Sequence, residues 1–393
     1  MAKRLKKPIR MILKTFIIII VIFALKWLWV AVSTMGHGSF EGEKTEILRR
    51  RNYLANKLIT SPDGVLNEMP SGIGRQFQGE WAMYSCSMFT AALVNIAKLY
   101  PEEREKSVKQ IERLIDIVMS PELREYDAAR WGEDPLESWD SENSHMSYLS
   151  ILSWMISGYK AIGGGDKYDD VYYQACSTLN WRMQNSPTLN LLTYPNEAVY
   201  IPDMLVTIVA LSNYSRQCDG RYNPIIKEWI NKAKIEWKDK ETGLIKSFLS
   251  YDGSEMPAPV KGSYSALICY YLTFVDVDFA KEQYELLKKH FIQKNPMTGI
   301  REYNDRSWLV GMDIDSGPIL FNLSPSGTAF AIGPATYFND SDFRSHLLMT
   351  AEIGGSTVRG WNTNHYLLAN LALVGEAITL AMRTSVPWFT EKK

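Results

Sequence analysis

The feature that most constrains this chain is an alternation between two kinds of helical segment. From residue 41 onward apolar residues recur at the 3.6-residue period, and few stretches alternate with period two. The pattern predicts twelve helices, over 42–59, 78–99, 102–119, 143–162, 168–184, 198–215, 222–238, 263–275, 277–292, 318–337, 340–352 and 363–383. Those at 102–119, 168–184, 222–238, 277–292 and 340–352 carry many charges and present a wet face. Those at 78–99, 143–162, 198–215, 263–275, 318–337 and 363–383 are apolar almost all round, with Ala, Ser, Gly and aromatic residues. A helix apolar on every side has to be buried. Six buried helices alternating with amphipathic ones describe an all-α (α/α)6 toroid, an inner ring of six inside an outer ring of six. A flat α-solenoid is the alternative, but no fixed-length repeat is visible.

Several helix boundaries are clear. Tyr100-Pro101 separates two helices, with Glu102 and Glu103 in the first turn of the next. Gly163-Gly164-Gly165 and Asp219-Gly220 end two others. The short runs at 242–245 and 298–300 read as turns leading into brief extended pieces. No Pro-, Gly- or Ser-rich linker divides the body. The expected organisation is therefore a basic cytoplasmic segment at 1–14, a transmembrane signal anchor at 15–33, a linker with the first outer helix at 34–75, and the rest of the toroid at 76–393.

The anchor is read from Thr15 to Val32, TFIIIIVIFALKWLWVAV, where Lys26 is the one charge. A membrane span needs roughly 17–25 residues. Six basic residues precede it, and the positive-inside rule then places the N-terminus in the cytoplasm and the body outside, periplasmic or extracellular. A cleaved signal peptide competes, because Ala31-Val32-Ser33 is a tolerable small-residue site. Trp27, Trp29 and Lys26 beside that site favour an uncleaved anchor.

Charge and rare residues exclude several function classes. The formal net charge is −1, but residues 1–40 hold seven of the 43 Lys and Arg and no acid, so the remainder carries 36 basic against 44 acidic residues, a formal −8. Such a body is a poor nucleic-acid binder, since phosphate contacts need clustered Lys and Arg. Four Cys (Cys86, Cys176, Cys218 and Cys269) form no CxxC, and five His form no HExxH, so no disulfide scaffold, metal site or cofactor is expected. The oligomeric state is left open.

In a toroid the loops entering the inner helices gather at one end of the ring, and there the sequence places its unusual residues. The first entrance carries Gln78, Glu80, Trp81 and Tyr84. The second carries Trp139, Asp140, Glu142, Asn143 and His145. The third carries Glu197, Tyr200 and Asp203, and the fourth Tyr264. The fifth carries Trp308, Asp313 and Asp315, and the sixth Trp361 and His365. Each has a bland reading: Asp315 serves as an N-cap, acids in a first turn suit the helix dipole, and His145 one turn into an apolar helix is a satisfied core residue. Taken together they describe an acidic, aromatic-lined funnel.

Carboxylates on facing loops divide labour as general acid and general base when their surroundings separate their pKa values. Sugar rings stack on Trp and Tyr, and sugar hydroxyls suit Asn, Gln and Asp. The implied chemistry is glycoside hydrolysis, with Glu80, desolvated beside Phe77 and Trp81, as proton donor and the Asp313/Asp315 pair as base. His145 and Asp203 are the further catalytic candidates. The remaining funnel residues (Gln78, Trp81, Tyr84, Trp139, Asp140, Glu142, Asn143, Glu197, Tyr200, Tyr264, Trp308, Trp361, His365) would bind a glycan or another small-molecule substrate.

From about residue 76 to 290 the chain also resembles the linalool dehydratase/isomerase family. The resemblance is carried by Asp134-Pro135-Leu136-Glu137, then Glu142-Asn143 and an apolar helix ending in Gly. It continues through Lys167-Tyr168, through Pro195 before a buried helix ending near Asn213-Tyr214, and through Pro259 and Ser263-Tyr264. It implies an (α/α)6 toroid and, as an alternative function, a hydro-lyase/isomerase acting on a small alcohol. The family's cysteine pair is replaced here by Thr193 and about Pro202. Its active-site histidine falls at Leu149 or Ile151, with His145 a turn earlier. A third reading is a non-catalytic glycan-binding envelope protein.

Overall fold

A computed structural model of the 393-residue chain describes residues 2–34, 40–305, 309–313 and 316–389. In chain order its helices are α1 (Ala2–Thr34), α2 (Phe40–Leu58), α3 (Pro62–Asn67), α4 (Arg75–Leu99), α5 (Arg104–Val118), α6 (Pro121–Trp131), α7 (Met146–Ala161) and α8 (Asp169–Asn185). They continue with α9 (Ile201–Gln217), α10 (Asn223–Ile235), α11 (Gly262–Leu272), α12 (Val277–Phe291), α13 (Pro325–Tyr337), α14 (Ser341–Gly355) and α15 (Leu373–Arg383).

Helix α4 packs on α7, α7 on α9, α9 on α11, α11 on α13, α13 on α15, and α15 returns to α4. This closed circuit is the inner ring. Helices α5, α8, α10, α12 and α14 pack outside α4, α7, α9, α11 and α13, and α2 completes the outer ring against α15 and α4. The alternation of apolar and charged helices thus becomes an (α/α)6 toroid.

The inner helices tolerate burial on every side because their few polar groups pair with one another. Ser150 and Thr207 hydroxyls lie 2.6 Å apart between α7 and α9. Asn213 donates to Ser157 at 3.0 Å across the same pair. Asn95 on α4 donates to the Ala381 carbonyl of α15 at 3.2 Å and accepts from the Trp388 indole at 2.9 Å. Leu93, Leu149, Leu205 and Leu380 are fully buried, each stabilising the fold by about 1.5–3 kcal/mol.

Ring closure between the chain's two ends rests on a buried ionic network. Glu43 of α2 is fully buried and takes Arg344 of α14 at 2.6 Å and Arg383 of α15 at 2.9 Å. Two turns on, Arg50 pairs with Glu376 of α15 at 2.7 Å and with Glu46 at 2.7 Å.

Two expected helices begin later than the periodicity suggests. Residues 318–320, read as helix, belong to the second strand of a hairpin, β5 (Val310–Asp313) with β6 (Gly317–Leu320), and α13 starts at Pro325 behind a Ser324 cap. Residues 364–366 pair as β8 (Asn364–Tyr366) with β7 (Thr357–Arg359), and α15 starts at Leu373. In both, a short apolar run fits either period. The short helix α6 fell outside the expected set. Entry into α7 also falls later than expected, because His145 adopts φ 44 and turns the chain just before Met146.

Candidate active site

Inner and outer helices alternate in direction, so every outer-to-inner connection lies at one end of the ring, hereafter the mouth. Below it, Tyr84 of α4 and Tyr271 of α11, on opposite sides of the inner ring, bring their hydroxyls to 3.5 Å. Asp203 in the first turn of α9 is close enough to push both phenols further up, beyond what burial does.

Glu80 lies one helical turn toward the mouth from Tyr84, on the same face of α4. Its Oε2 accepts from Arg130 Nη2 at 3.1 Å. The Arg130 guanidinium sits 3.6 Å over the Tyr194 ring and faces Phe77 and Tyr126. Burial pushes the Glu80 carboxyl above the usual range, and Glu197 adds to this, against the pull of Arg130 and the Tyr194 hydroxyl. Thr193, next to Tyr194, donates to Asp203 Oδ2 at 2.8 Å. Glu80 and Asp203 are therefore held by consecutive residues of one loop.

A second group lies along the mouth. Asp313, at the end of β5, takes Lys261 at 3.0 Å, the Tyr303 hydroxyl at 2.9 Å and the Ser316 amide at 3.2 Å. Lys261 also faces the Phe248 and Tyr264 rings, and Tyr200 packs against Phe248. Behind them Glu302 is fully buried and accepts from Ser263 Oγ at 2.8 Å. Burial pushes its carboxyl up and Asp313 adds to this, while the Ser263 and Ser324 hydroxyls pull it down. Gly262 permits the arrangement: a Cβ there would stand 1.9 Å from the Arg301 carbonyl oxygen.

The remaining expected residues are distributed as follows. Trp81 and Trp139 are partly buried against the core. Gln78 donates to the Met69 carbonyl at 3.4 Å. Asp140, Glu142 and Glu197 are exposed. Asn143 donates to Glu133 at 2.8 Å. His145 is fully buried, with Nδ1 2.5 Å from Asp127 and Nε2 3.2 Å from Glu133, so its ring locks the α6–α7 corner. His365 stacks on Tyr53 at 4.0 Å. Trp361 is 98% exposed. Trp308 and Asp315 lie outside the described residues. Arg130, Tyr194, Lys261, Glu302 and Tyr303 were not among the expected site residues, although Lys261 stands at a helix entrance. Among the described residues no group of three or more His, Cys, Asp or Glu is placed to hold a metal ion. A groove of about 910 Å³ lined by Ala55, Ile59, Lys106 and Arg113 lies on the outer wall, between α2 and α5, apart from these carboxylates.

The helical ring superposes on the folds of solved glycoside hydrolases. A family 105 glycoside hydrolase from C. acetobutylicum ATCC 824 superposes with TM-score 0.51 at 10% identity, over 76% of this chain and 92% of that one. An unsaturated glucuronyl hydrolase specific for heparin gives 0.52 at 12%, over 77% and 85%. A glycosaminoglycan-degrading unsaturated glucuronyl hydrolase from Bacillus sp. GL1 gives 0.51 at 9%, over 79% and 89%. At these identities the likeness is one of fold. No family model and no curated protein sequence matches the chain.

These neighbours correct the resemblance to the linalool dehydratase/isomerase family, since the matching toroids are glycoside hydrolases. The local geometry agrees: Thr193 is a hydrogen-bond donor to Asp203 where that family carries a cysteine, and burial pushes the Cys86 thiol up to about 12.

Proposed function

We propose that the protein is a membrane-anchored, extracytoplasmic glycoside hydrolase-like enzyme whose mouth carboxylates act as general acid and base. The observation that carries this reading is that one loop, through Tyr194 and Thr193, holds both Glu80 of α4 and Asp203 of α9 above a floor of tyrosines. Glu80, raised by burial, is the proton donor. Asp203 is favoured over Asp313 as its partner, because Asp313 is tied to Lys261 and Tyr303 along the rim. Lys261 and Arg130 supply cations that suit an acidic sugar, in keeping with the glucuronyl hydrolases that share the fold. Helix α1 supports anchoring: Arg10–Val30 is long and apolar enough to cross a membrane and its most apolar 18 residues are unburied, whereas α4, which meets the same length and composition, is mostly buried in the ring.

The test incubates the detergent-purified full chain with a panel of neutral and uronyl oligosaccharides, unsaturated uronyl disaccharides included, and follows products by mass spectrometry. Turnover abolished by Glu80→Gln and Asp203→Asn is the expected result. Binding of a saccharide by calorimetry without turnover of any would replace this reading with that of a non-catalytic glycan-binding protein.

A further inference from the structure

The direction in which α1 leaves the body has a consequence for where the mouth points. Lys26 donates to Ser356 at 2.6 Å, and Ser356 caps α14 at the mouth end. Trp29 lies under the Arg359 guanidinium at 5.5 Å, and Val30 is buried where α1 packs on α14. Helix α2 begins at the opposite end, where the Phe40 carbonyl accepts from Tyr100 at the foot of α4. Residues preceding Lys26 therefore project beyond the mouth.

From Arg10 to Leu25 that projection rises about 24 Å at ~1.5 Å per residue. A hydrocarbon core is about 30 Å thick. The bilayer must then reach down to the level of Trp27 and Trp29, the residue type that seats at a membrane interface. At that level, on the connection from α14 to α15, Val358, Trp361, Leu367, Leu368 and Leu371 are all exposed. Val310 and Met312, on the β5–β6 hairpin before the previous inner helix α13, are exposed as well. Between residues 357 and 371 the formal charge is that of Arg359 alone.

We infer that this sector of the rim rests in the bilayer interface, so that the mouth opens toward the membrane and the saccharide it takes is one tethered close to the lipid surface. The substrate half of this statement rests on the glycosidase reading of the mouth; the orientation half does not.

The test uses the full chain in phosphatidylcholine/phosphatidylglycerol vesicles. Cys218 is the exposed thiol among the four cysteines, so Cys218→Ser provides the background. A nitroxide is placed at Leu368→Cys on the rim or at Glu105→Cys near the opposite end, and its accessibility to oxygen and to a water-soluble nickel chelate is measured. Both positions are exposed, and circular dichroism checks each fold. The expected result is a loss of nickel accessibility with a gain in oxygen accessibility at 368, and free access of nickel at 105. Equal nickel access at both positions overturns the orientation. Low access of both reagents at 368 also overturns it, since a second copy of the chain would then cover the rim. Lipid contact at 368 in a protein that hydrolyses no saccharide would sink the functional reading and leave the orientation standing. Hydrolysis of a soluble saccharide with a wet rim would do the reverse.

Discussion

Replacing Glu43 by Gln should unfasten the ring at the place where the two ends of the chain meet. The carboxylate is fully buried and receives two guanidinium groups, Arg344 at 2.6 and 2.9 Å and Arg383 at 2.9 Å. Glutamine keeps the volume but removes the charge and turns an amide N–H₂ toward a cation. Breaking a buried pair from one side costs about 3–5 kcal/mol, because the other charges stay buried without compensation. The pH dependence gives a second handle. Burial alone would push the Glu43 carboxyl up, but Arg383 and Arg344 outweigh it and hold the carboxyl below its usual range. A group whose folded pKa is depressed contributes stability above its unfolded value, about 4.3, and loses it as pH falls through the folded value. The gap between parent and Glu43→Gln should therefore be largest near neutrality and shrink below about pH 4. Denaturant unfolding followed by circular dichroism, at neutral and at acid pH, measures both. A neutral-pH loss under about 1 kcal/mol, the range of an exposed pair, or an equal loss at both pH values, would refute the reasoning.

Three further outcomes are expected. Gly262→Ala, whose Cβ would meet the Arg301 carbonyl oxygen at 1.9 Å, should cost about 1–3 kcal/mol or more and displace the segment carrying Glu302, lowering thermal stability and turnover together. Trp361→Ser should change the unfolding free energy in detergent by less than about 0.5 kcal/mol, since the ring touches little of the protein; a larger loss would mean that the side chain packs. Because Glu80 must be protonated to donate, kcat/KM should fall as pH rises through its raised pKa, and this basic limb should be absent from the residual activity of Glu80→Gln.

The ring was legible because its cause is periodic. A helix such as 263–275 that is apolar all round admits only an inner place, and the charged 277–292 beside it only an outer one. The late starts of α13 and α15 were not legible, since Pro318-Ile319-Leu320 reads equally as a buried helix turn and as the β6 edge. Within the site, Glu80 and Asp203 stood out as acids beside aromatics at helix entrances. Arg130 did not, because it reaches the mouth from α6 and only tertiary packing brings it onto Glu80 and over the Tyr194 ring. Glu302 follows the Gly299–Ile300 strand, and that extended run ahead of an acid was the available signal. His145 was weighed as catalytic, but a left-handed φ of 44 and two carboxylate partners give it a place in the corner before α7.

The central claim is that Glu80 donates a proton to a departing sugar oxygen, and leaving-group dependence tests it most directly. Turnover of a saccharide by the parent and by Glu80→Gln should be compared with turnover of a nitrophenyl glycoside of the same sugar, whose leaving group departs without protonation. The account predicts a loss of at least about 10²-fold on the natural linkage and far less on the activated one. An equal loss on both would contradict it and return Glu80 to the role of a buried partner for Arg130.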